Sequence, residues 1–373
     1  MREIKKIKKI LVIKLRHIGD VLLTVPTFKA LRENFPDAHI AALVELGTEE
    51  VLTGNHLINE IITFDRKIKS KNLIQKFYLE MSFFFKIRAM KFDMTVDLTG
   101  GDRPAVISLG SGAKYRFANI PGRKRFPNKK YFFTHLSERN SKQHMLLQNL
   151  AIVGKFGITT ENLKIDFHIP EEETLFVKQL FDKNNIEDSD TVVHIHPTSR
   201  WLFKCWKDEY VADLITRLIK EGIKVIMTSS PDKKEIEKAE KILTFVPSDS
   251  NKLSPNLISL SGKTNIKQLG AISRASDLFF GVDSAPMHIA AAIGTPVVAL
   301  FGPTGDYNWR PWHYSKEAKN PHVVLKRSWD CVPCGQDGCN GTKISNCLED
   351  ITPVEVWDLI KKKLSEISKL KNK

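Results

Sequence analysis

The first candidate for chemistry is the carboxylate of Asp20, in the segment 14–20 (KLRHIGD) near the N-terminus. The segment follows an apolar run and precedes a helical pattern, so it links a predicted strand to a predicted helix. Ligands of open α/β sheets bind beyond the carboxyl ends of strands, where Asp20 could act as a general base. Gly19 would allow close approach of a substrate. The structural alternative is that Asp20 caps the helix.

A second group of polar residues follows a predicted strand in the C-terminal half of the chain: Thr198, Ser199 and, slightly later, Lys204. Two hydroxyls and an ammonium suit an anionic diphosphate, with Lys204 as a point charge. The alternative is a solvated loop lysine, and this segment alone does not separate the two.

The segment 281–294 (GVDSAPMHIAAAIG) is more informative. Pro286 fits the first turn of a helix, and Asp283 or Ser284 fits its N-cap. The N-terminus of a helix presents free N–H groups and partial positive charge, which together favour a phosphate. His288 would lie one turn inside, either near that phosphate or in a structural role.

Four of the five cysteines fall close together, at Cys331, Cys334, Cys339 and Cys347. Four thiols within so short a segment could hold zinc, although the spacing is not that of a standard zinc finger, and an iron–sulfur cluster is formally open. The alternative is reduced thiols packed under a loop, since a cytosolic compartment disfavours disulfides.

Two common nucleotide signatures are missing from the chain. Gly262-Lys263-Thr264 resembles the end of a P-loop, but Leu257 stands where the first glycine is required. Gly110-Ser111-Gly112 has Tyr115 in place of the third glycine of a dinucleotide fingerprint. The sequence therefore favours neither a P-loop NTPase nor a standard dinucleotide enzyme.

Short runs rich in β-branched residues alternate with helical patterns along the chain, which predicts an α/β fold with parallel sheets. The predicted strands are Ile10–Lys14, His39–Val44, Ile61–Phe64, Met94–Leu98, Val192–His196, Lys224–Thr228, Leu257–Leu260, Leu278–Val282 and Val297–Phe301. The predicted helices include Thr24–Asn34, Tyr210–Glu221, Asp232–Leu243 and Pro286–Ile293.

A length of 373 residues suits two domains. The chain changes character around Pro170, which predicts one domain at 1–170 and a second at 185–350. Residues 351–373 form a terminal helix, with Thr352 as cap and Pro353 in the first turn.

The formal net charge of +14 implies a polyanionic partner: nucleic acid, anionic lipid or a phosphorylated saccharide. A solvated basic surface is the alternative. No apolar run is long enough to span a bilayer. The stretch from Gly112 to Tyr131 holds seven basic residues and no acidic one, namely Lys114, Arg116, Arg123, Lys124, Arg125, Lys129 and Lys130. The segment 67–91 mixes cations with aromatic residues, as in an interfacial helix or a core helix with snorkelling lysines.

The chain resembles the ADP-heptose heptosyltransferases of lipopolysaccharide core assembly. The resemblance covers roughly residues 8 to 365, and the cysteine-rich tail favours the third-heptose subtype. It implies a GT-B fold: two Rossmann-like domains facing across a cleft, acceptor on the first and donor on the second, with the C-terminal helix packing back on the first. The matching stretches, in family order, are Ile13–Pro26 (IKLRHIGDVLLTVP), Thr198-Ser199, Lys204-Cys205-Trp206, Asp283–Gly294 and Leu300–Thr304 (LFGPT).

Carried over residue by residue, the family's catalytic base falls on Asp20 and its diphosphate-binding lysine on Lys204. The implied donor-binding residues are Thr198, Ser199, Lys204, Glu235 for the ribose, Thr264 near the adenine, Asp283, Ser284, Ala285, His288 and Thr304. The implied acceptor-binding residues are Arg16, His17, Lys114, Arg116, Arg123, Lys124 and Arg125. The resemblance implies no cofactor and assigns no metal to the cysteines.

The resemblance predicts an inverting transferase that moves heptose from ADP-heptose onto the inner core of lipopolysaccharide. It would work as a monomer in the cytoplasm, at the inner membrane surface, without nucleic acid. One alternative is a GT-B transferase with another nucleotide sugar. The other is a basic nucleic-acid-binding protein with a zinc-stabilised tail, which would bind in a salt-sensitive way.

Overall fold

The structure is a computed structural model that describes residue 4 and residues 6–65, 73–120, 129–248, 253–315 and 319–371. The chain divides into two compact units, Met1–His168 and Ile169–Lys373. Within the described residues each unit holds one six-stranded sheet.

The sheet of the first unit has the order β3-β2-β1-β4-β5-β6, and every neighbouring pair is parallel. This is a Rossmann order, in which the direction of winding switches between the first and fourth strands. The strands are β1 (Lys9–Lys14), β2 (His39–Glu45), β3 (Glu60–Phe64), β4 (Met94–Asp97), β5 (Tyr115–Asn119) and β6 (His135–Ser137). The helices are α1 (Ile18–Leu22), α2 (Val25–Asn34), α3 (Leu73–Ala89), α4 (Asp102–Gly110) and α5 (Met145–Gly154).

The sheet of the second unit repeats this topology as β12-β11-β10-β7-β8-β9, again all parallel. Its switch point lies between β7 and β10. The strands are β7 (Val192–His196), β8 (Lys224–Ser229), β9 (Leu257–Ser261), β10 (Leu278–Val282), β11 (Val297–Leu300) and β12 (Val323–Leu325). The helices are α6 (Glu171–Lys183), α7 (Asp208–Lys220), α8 (Lys233–Thr244), α9 (Ile266–Ala275), α10 (Ala285–Ala292), α11 (Asp306–Trp309), α12 (Asn346–Glu349) and α13 (Pro353–Lys371).

The central strands are buried on both faces, as parallel sheets require. β7 and β10 are buried at every position, and β1 at every position after Lys9. Burying continuous apolar runs removes both faces of the sheet from water, at about 25 cal/mol per Å² of apolar surface. The sequences of β10, β11 and the middle of β1 reflect this, because they are apolar runs without polar alternation.

Helix α13 packs on the core of the second unit. Val356 and Ile360 are buried in the same cluster as Trp206, whose Nε1–H donates to the carbonyl of Ile351 at 3.0 Å. The helix begins with a reciprocal cap: the Thr352 backbone N–H donates to Glu355 Oε2 (2.8 Å), and the Glu355 backbone N–H donates to Thr352 Oγ1 (3.4 Å). The predicted cap is confirmed, whereas packing of this helix on the first domain stays a prediction.

The structure differs from the sequence analysis at several elements. Strands β5, β6 and β12 were not predicted, because they are short and β5 carries the polar residues Arg116 and Asn119. Residues 171–184 fall between the two predicted domains, and the helix that they form, α6, packs Val177 in the same buried cluster as Ile272 of the second unit. No helix in the described ranges is long and apolar enough to cross a membrane.

Candidate functional site

Asp20 lies in the first turn of α1, directly beyond the carboxyl end of β1. The N-cap of this helix is His17, so the alternative that Asp20 caps the helix is wrong. The side chain is 16% exposed, which leaves the carboxylate within reach of a ligand. Because β1 is the first strand of the switch point, Asp20 occupies the edge where Rossmann sheets bind their ligands.

A buried lysine, which the sequence analysis assigned no role, contacts this carboxylate. Lys14 Nζ lies 3.5 Å from Asp20 Oδ1 and donates to the Leu98 carbonyl (2.9 Å) and to Asn149 Oδ1 (3.3 Å). Burial lowers the pKa of Lys14, and the charge of Asp20 opposes that shift. Its only signal in the sequence was a lysine ending an otherwise apolar strand.

The neighbouring strand β4 ends in a second buried carboxyl, Asp97. Burial raises its pKa to about 6, against the hydrogen bonds it accepts from the N–H groups of Thr99 and Gly100 at 2.8 and 3.0 Å. Thr99 Oγ1 accepts from the Leu15 N–H at 2.8 Å, which ties the loop after β4 to the end of β1. The two strand ends therefore form one fixed edge beneath Asp20.

The predicted acceptor residues fall into separate environments. Arg16 is exposed and His17 half-buried beside Asp20, and Lys114 is exposed over the Tyr115 ring. Arg116 belongs to strand β5, where its guanidinium donates to the carbonyls of Ala113 and Phe132, each at 2.6 Å. These hydrogen bonds join Ala113, just before β5, to the end of the 3-10 segment Lys129–Phe132, which is a structural role. Arg123, Lys124 and Arg125 lie outside the described residues.

In the second unit an ion pair bridges the switch point. Lys204 ends the 3-10 turn Leu202–Lys204 that follows β7, and its Nζ lies 2.6 Å from Asp283 Oδ2. Asp283 directly follows β10, the neighbour of β7 in the sheet. The Lys204 side chain remains 20% exposed, so the ammonium can meet an anion from solvent. The structure thus brings together two residues that are 79 positions apart in the chain.

The ion pair stands beside the start of α10. Ser284 is the N-cap but makes no side-chain capping bond, since its hydroxyl donates to the Val282 carbonyl at 3.2 Å. Ala285 opens the helix with Pro286 next, so the expected cap and first turn are confirmed. His288 is buried one turn further, with its ring 6.4 Å from that of Trp309. The amide end of the helix is thus available to an anion.

Thr198, Ser199 and Glu235 are buried beyond the ends of β7 and β8. Thr198 Oγ1 donates to Glu235 Oε2 at 2.7 Å, and Ser230 Oγ donates to Glu235 Oε1 at 2.8 Å. Ser199 Oγ accepts from the Trp201 N–H at 3.4 Å. The Thr198–Glu235 contact was not foreseen from the sequence.

Thr264 and Thr304 lie in loops at the same edge of the second sheet. Thr264 is half-buried in the turn after β9, where Gly262 has φ +68° and a Cβ would meet Ile236 of α8. That contact places the Thr264 turn beside the helix that carries Glu235. Thr304 is half-buried in the loop after β11.

The cysteine segment packs against that same loop. Cys347 is buried next to Gly302, and the Gly335 N–H donates to the Pro303 carbonyl at 2.7 Å. Burial raises the pKa of Cys347 to about 11, whereas Cys331 and Cys334 are exposed. In the part of the chain that the structure describes, no three or more Cys, His, Asp or Glu side chains are arranged to hold a metal.

Comparison with solved structures defines the fold. A family 9 glycosyltransferase from Veillonella parvula superposes with a TM-score of 0.77 at 21% identity, covering 96% of this chain and 97% of that one. Escherichia coli ADP-heptose heptosyltransferase II gives 0.73 at 20% identity, covering 96% and 99%. The fold is therefore the GT-B fold of glycosyltransferases, as predicted.

Comparison of sequences gives the family. The family model for glycosyltransferase family 9 (heptosyltransferase) matches residues 81–338. Lipopolysaccharide heptosyltransferase 3 of E. coli K12 is 31% identical over 298 residues, which cover 80% of this chain and 83% of the relative. The chain belongs to glycosyltransferase family 9. The resemblance and its third-heptose subtype are thereby supported, and the nucleic-acid-binding alternative is not.

Proposed function

We propose that this enzyme transfers a heptose from ADP-heptose to the inner core of lipopolysaccharide, with inversion at the anomeric carbon. The observation that carries the proposal is the positively charged site of the second unit, where Lys204 lies beside the N-terminus of α10. Such a site fits the diphosphate of a nucleotide sugar. The relatives named as heptosyltransferases supply the identity of the sugar and acceptor.

In the proposed reaction Asp20 takes the proton of an acceptor hydroxyl. The hydroxyl oxygen attacks the anomeric carbon from the face opposite the leaving group, and the bond from that carbon to the diphosphate oxygen breaks. The electron pair departs with ADP, which gives the inverted glycoside and a protonated Asp20. General-base assistance of this kind contributes roughly a hundredfold to ten-thousandfold in rate.

The second unit would stabilise the departing ADP. Charge develops on the diphosphate as the bond breaks, and Lys204 with the amide end of α10 would neutralise it. Asp283 holds the ammonium in place before the donor binds, because the pair is already formed at 2.6 Å. Ser199 and Ala285 would complete the diphosphate contacts, and the turn at Thr264 would receive the adenine.

The test is incubation of the purified enzyme with ADP-heptose and a truncated core acceptor, with products read by mass spectrometry. The expected result is an acceptor heavier by one heptose and equimolar ADP. Parallel reactions with UDP- and GDP-sugars address the alternative of another donor. Turnover with one of these and none with ADP-heptose would refute the proposed donor.

We also propose that the enzyme works as a monomer on the cytoplasmic face of the inner membrane, held there by an α3–α4 surface. This surface is apolar and exposed: Phe77, Tyr78 and Phe85 of α3 are 69%, 72% and 67% exposed. It is completed by Val106 and Leu109 of α4 and by Tyr131. Exposed aromatic side chains of this number suit the headgroup region of a bilayer.

The residues around the α3–α4 surface carry a net positive charge, which favours an anionic bilayer. Lys86, Arg88, Lys114 and Lys130 are exposed around it. The carboxylates of Glu80 and Asp102 are each paired with a cation, Arg103 at 3.0 Å and Lys129 at 2.5 Å. The excess charge of the surface is therefore positive, and each such cation near an anionic membrane contributes about 1 kcal/mol.

A further inference from the structure

A chain of buried hydrogen bonds runs from the interior of the second unit to Glu235. His194 Nδ1 lies 2.7 Å from Ser273 Oγ, and His194 Nε2 lies 2.8 Å from Thr228 Oγ1. The same Thr228 oxygen lies 2.9 Å from His196 Nδ1. His196 Nε2 then lies 3.4 Å from Thr198 Oγ1, which donates to Glu235. Apart from Glu235, every member is at most 2% exposed.

Alternation along neighbouring strands builds this chain. His194 and His196 point to one face of β7 because side chains alternate along a strand, while Val193 and Ile195, on the opposite face, enter the main core. Thr228 lies on β8, which pairs with β7 in parallel register. Ser273 comes from α9, which covers that face.

The Glu235 carboxylate sets the direction of every hydrogen bond in the chain. The Thr198 hydroxyl has one proton and donates it to Glu235. Towards His196 the Thr198 oxygen can therefore only accept a hydrogen bond, so His196 carries its ring proton on Nε2. His196 Nδ1 then accepts from Thr228, and the Thr228 oxygen accepts from the Nε2–H of His194. If His196 carried its proton on Nδ1 instead, the lone pair of its Nε2 would face a lone pair of the Thr198 oxygen, which is repulsive.

Both imidazoles are neutral, as this arrangement requires. Burial lowers the pKa of His196 to about 3 and that of His194 well below its usual range. His196 also lowers the pKa of His194, because a second positive charge in the same buried space is unfavourable. Both rings therefore stay neutral at neutral pH, and the hydrogen bonds of the chain select one tautomer for each.

We infer that Thr198 is a positioning residue for Glu235 and not a ligand of the diphosphate, and that the Ser273–His194–Thr228–His196 chain fixes its donating direction. The inference rests on the proposed donor site. Glu235 follows β8, the second strand of the Rossmann order, where an acidic residue accepts the ribose hydroxyls of a nucleotide. Each Glu235 oxygen already accepts one hydroxyl from the protein, Thr198 or Ser230, and retains a lone pair for the ribose.

The experiment compares binding of ADP and of 2′,3′-dideoxy-ADP by calorimetry. The wild-type enzyme is expected to prefer ADP by about tenfold or more, because the ribose hydroxyls bond to a charged acceptor. Thr198→Val is expected to bring this preference toward one and to leave the affinity for dideoxy-ADP unchanged. Thr228→Val, which acts two bonds away, is expected to do the same to a smaller extent.

Thr216→Val is the matched control, because the Thr216 hydroxyl donates only to the Ala212 carbonyl of its own helix at 2.7 Å. Ser230→Ala, which removes the partner of the other Glu235 oxygen, is a second test should Thr228→Val fail to fold. Equal weakening of both nucleotides by Thr198→Val would overturn the inference and restore Thr198 as a diphosphate ligand. Failure of the wild type to bind ADP would instead refute the proposed donor.

Discussion

At the scale of single residues, Lys14 and Asp20 illustrate how the proposed catalytic base is held in place by a neighbouring side chain. Asp20 occupies the first turn of a five-residue helix, and such a helix has little stability of its own. The ammonium of Lys14 reaches Asp20 from the buried end of β1, while two further acceptors hold the ammonium itself. The orientation of the carboxylate is therefore set by the sheet.

Asp20→Asn is expected to lower kcat by about a hundredfold to ten-thousandfold, because an amide cannot take the acceptor proton. The dissociation constant for ADP should be unchanged, since the nucleotide would bind to the second unit. Steady-state kinetics and calorimetry measure the two quantities separately. Asp213→Asn, at an exposed α7 carboxylate paired with Arg217, is the matched control. Near-normal turnover of Asp20→Asn would show that another group is the base.

Asp97 gives the unfolding free energy a defined pH dependence. Its pKa is raised from 3.8 to about 6, so between these values the folded protein binds more protons than the unfolded chain. The contribution of Asp97 to stability therefore falls as pH rises across this window, by up to about 3 kcal/mol, and does not change further above it. Lys14 and Arg16 are the cations that oppose the raised pKa.

Asp97→Asn should remove this dependence, because the amide keeps acceptors for Thr99 and Gly100 but carries no charge. Urea unfolding of variant and wild type from about pH 4 to pH 8 measures the difference. The variant is expected to gain stability relative to the wild type as pH rises from about 4 to about 6, and to gain no more above that. An unchanged difference across this range would mean that Asp97 titrates at its ordinary pKa.

At the scale of elements, the strands predicted from the sequence are those whose mainly apolar composition indicates burial. β7 and β10 were predicted with their observed bounds, because short runs rich in Val, Ile, Leu and Phe are typical of strands buried in the middle of a parallel sheet. The sequence of β5 was interpreted as part of a basic loop, because Arg116 interrupts the apolar pattern that is typical of a buried strand. The structure accommodates Arg116 in a strand because its guanidinium donates hydrogen bonds to the carbonyls of Ala113 and Phe132. The local sequence pattern does not reveal these partners.

The same limit applies to the candidate site. Asp20, Lys204 and Asp283 were identified from their positions after predicted strands, and their motifs placed each at the correct edge. The Lys204–Asp283 pair and the chain from His194 to Glu235 depend on which strands are neighbours, and that is a property of the sheet order. His194 and His196 read simply as residues of a buried strand.

Helix α13 is expected to stabilise the second unit through its apolar face. Ile360→Ala should lower the free energy of unfolding by about 2–5 kcal/mol, because it opens a cavity beside Trp206. Val354→Ala is the matched control, since Val354 lies on the same helix and is 50% exposed. Thermal and urea denaturation measure both variants. Equal effects of the two substitutions would mean that the helix does not pack as described.

At the scale of the whole molecule, both units have the same strand order, but the charged group at the switch point is negative in the first unit and positive in the second. The first sheet ends at its switch point in a carboxylate backed by a buried lysine, and the second ends in a lysine backed by a buried carboxylate. A transfer reaction needs both, a base for the incoming hydroxyl and a cation for the departing diphosphate. Two Rossmann-like units therefore suffice for the proposed chemistry.

The net charge of +14 and the α3–α4 surface together predict salt-sensitive binding to anionic membranes. The enzyme is expected to float with vesicles of phosphatidylglycerol and phosphatidylcholine, but not with phosphatidylcholine alone. The bound fraction should fall as NaCl rises from about 0.05 to about 0.5 M, because the Debye length shortens.

The double substitution Tyr78→Ser and Phe85→Ser is expected to weaken this binding by about tenfold or more, since both aromatic side chains would leave water for the headgroup region. Leu175→Ser, at a residue of α6 that is 53% exposed in the second unit, is the matched control. ADP binding by the double variant establishes that it is folded. If the double variant floats like the wild type, the α3–α4 surface is not the membrane contact, and the excess positive charge must act from elsewhere on the molecule.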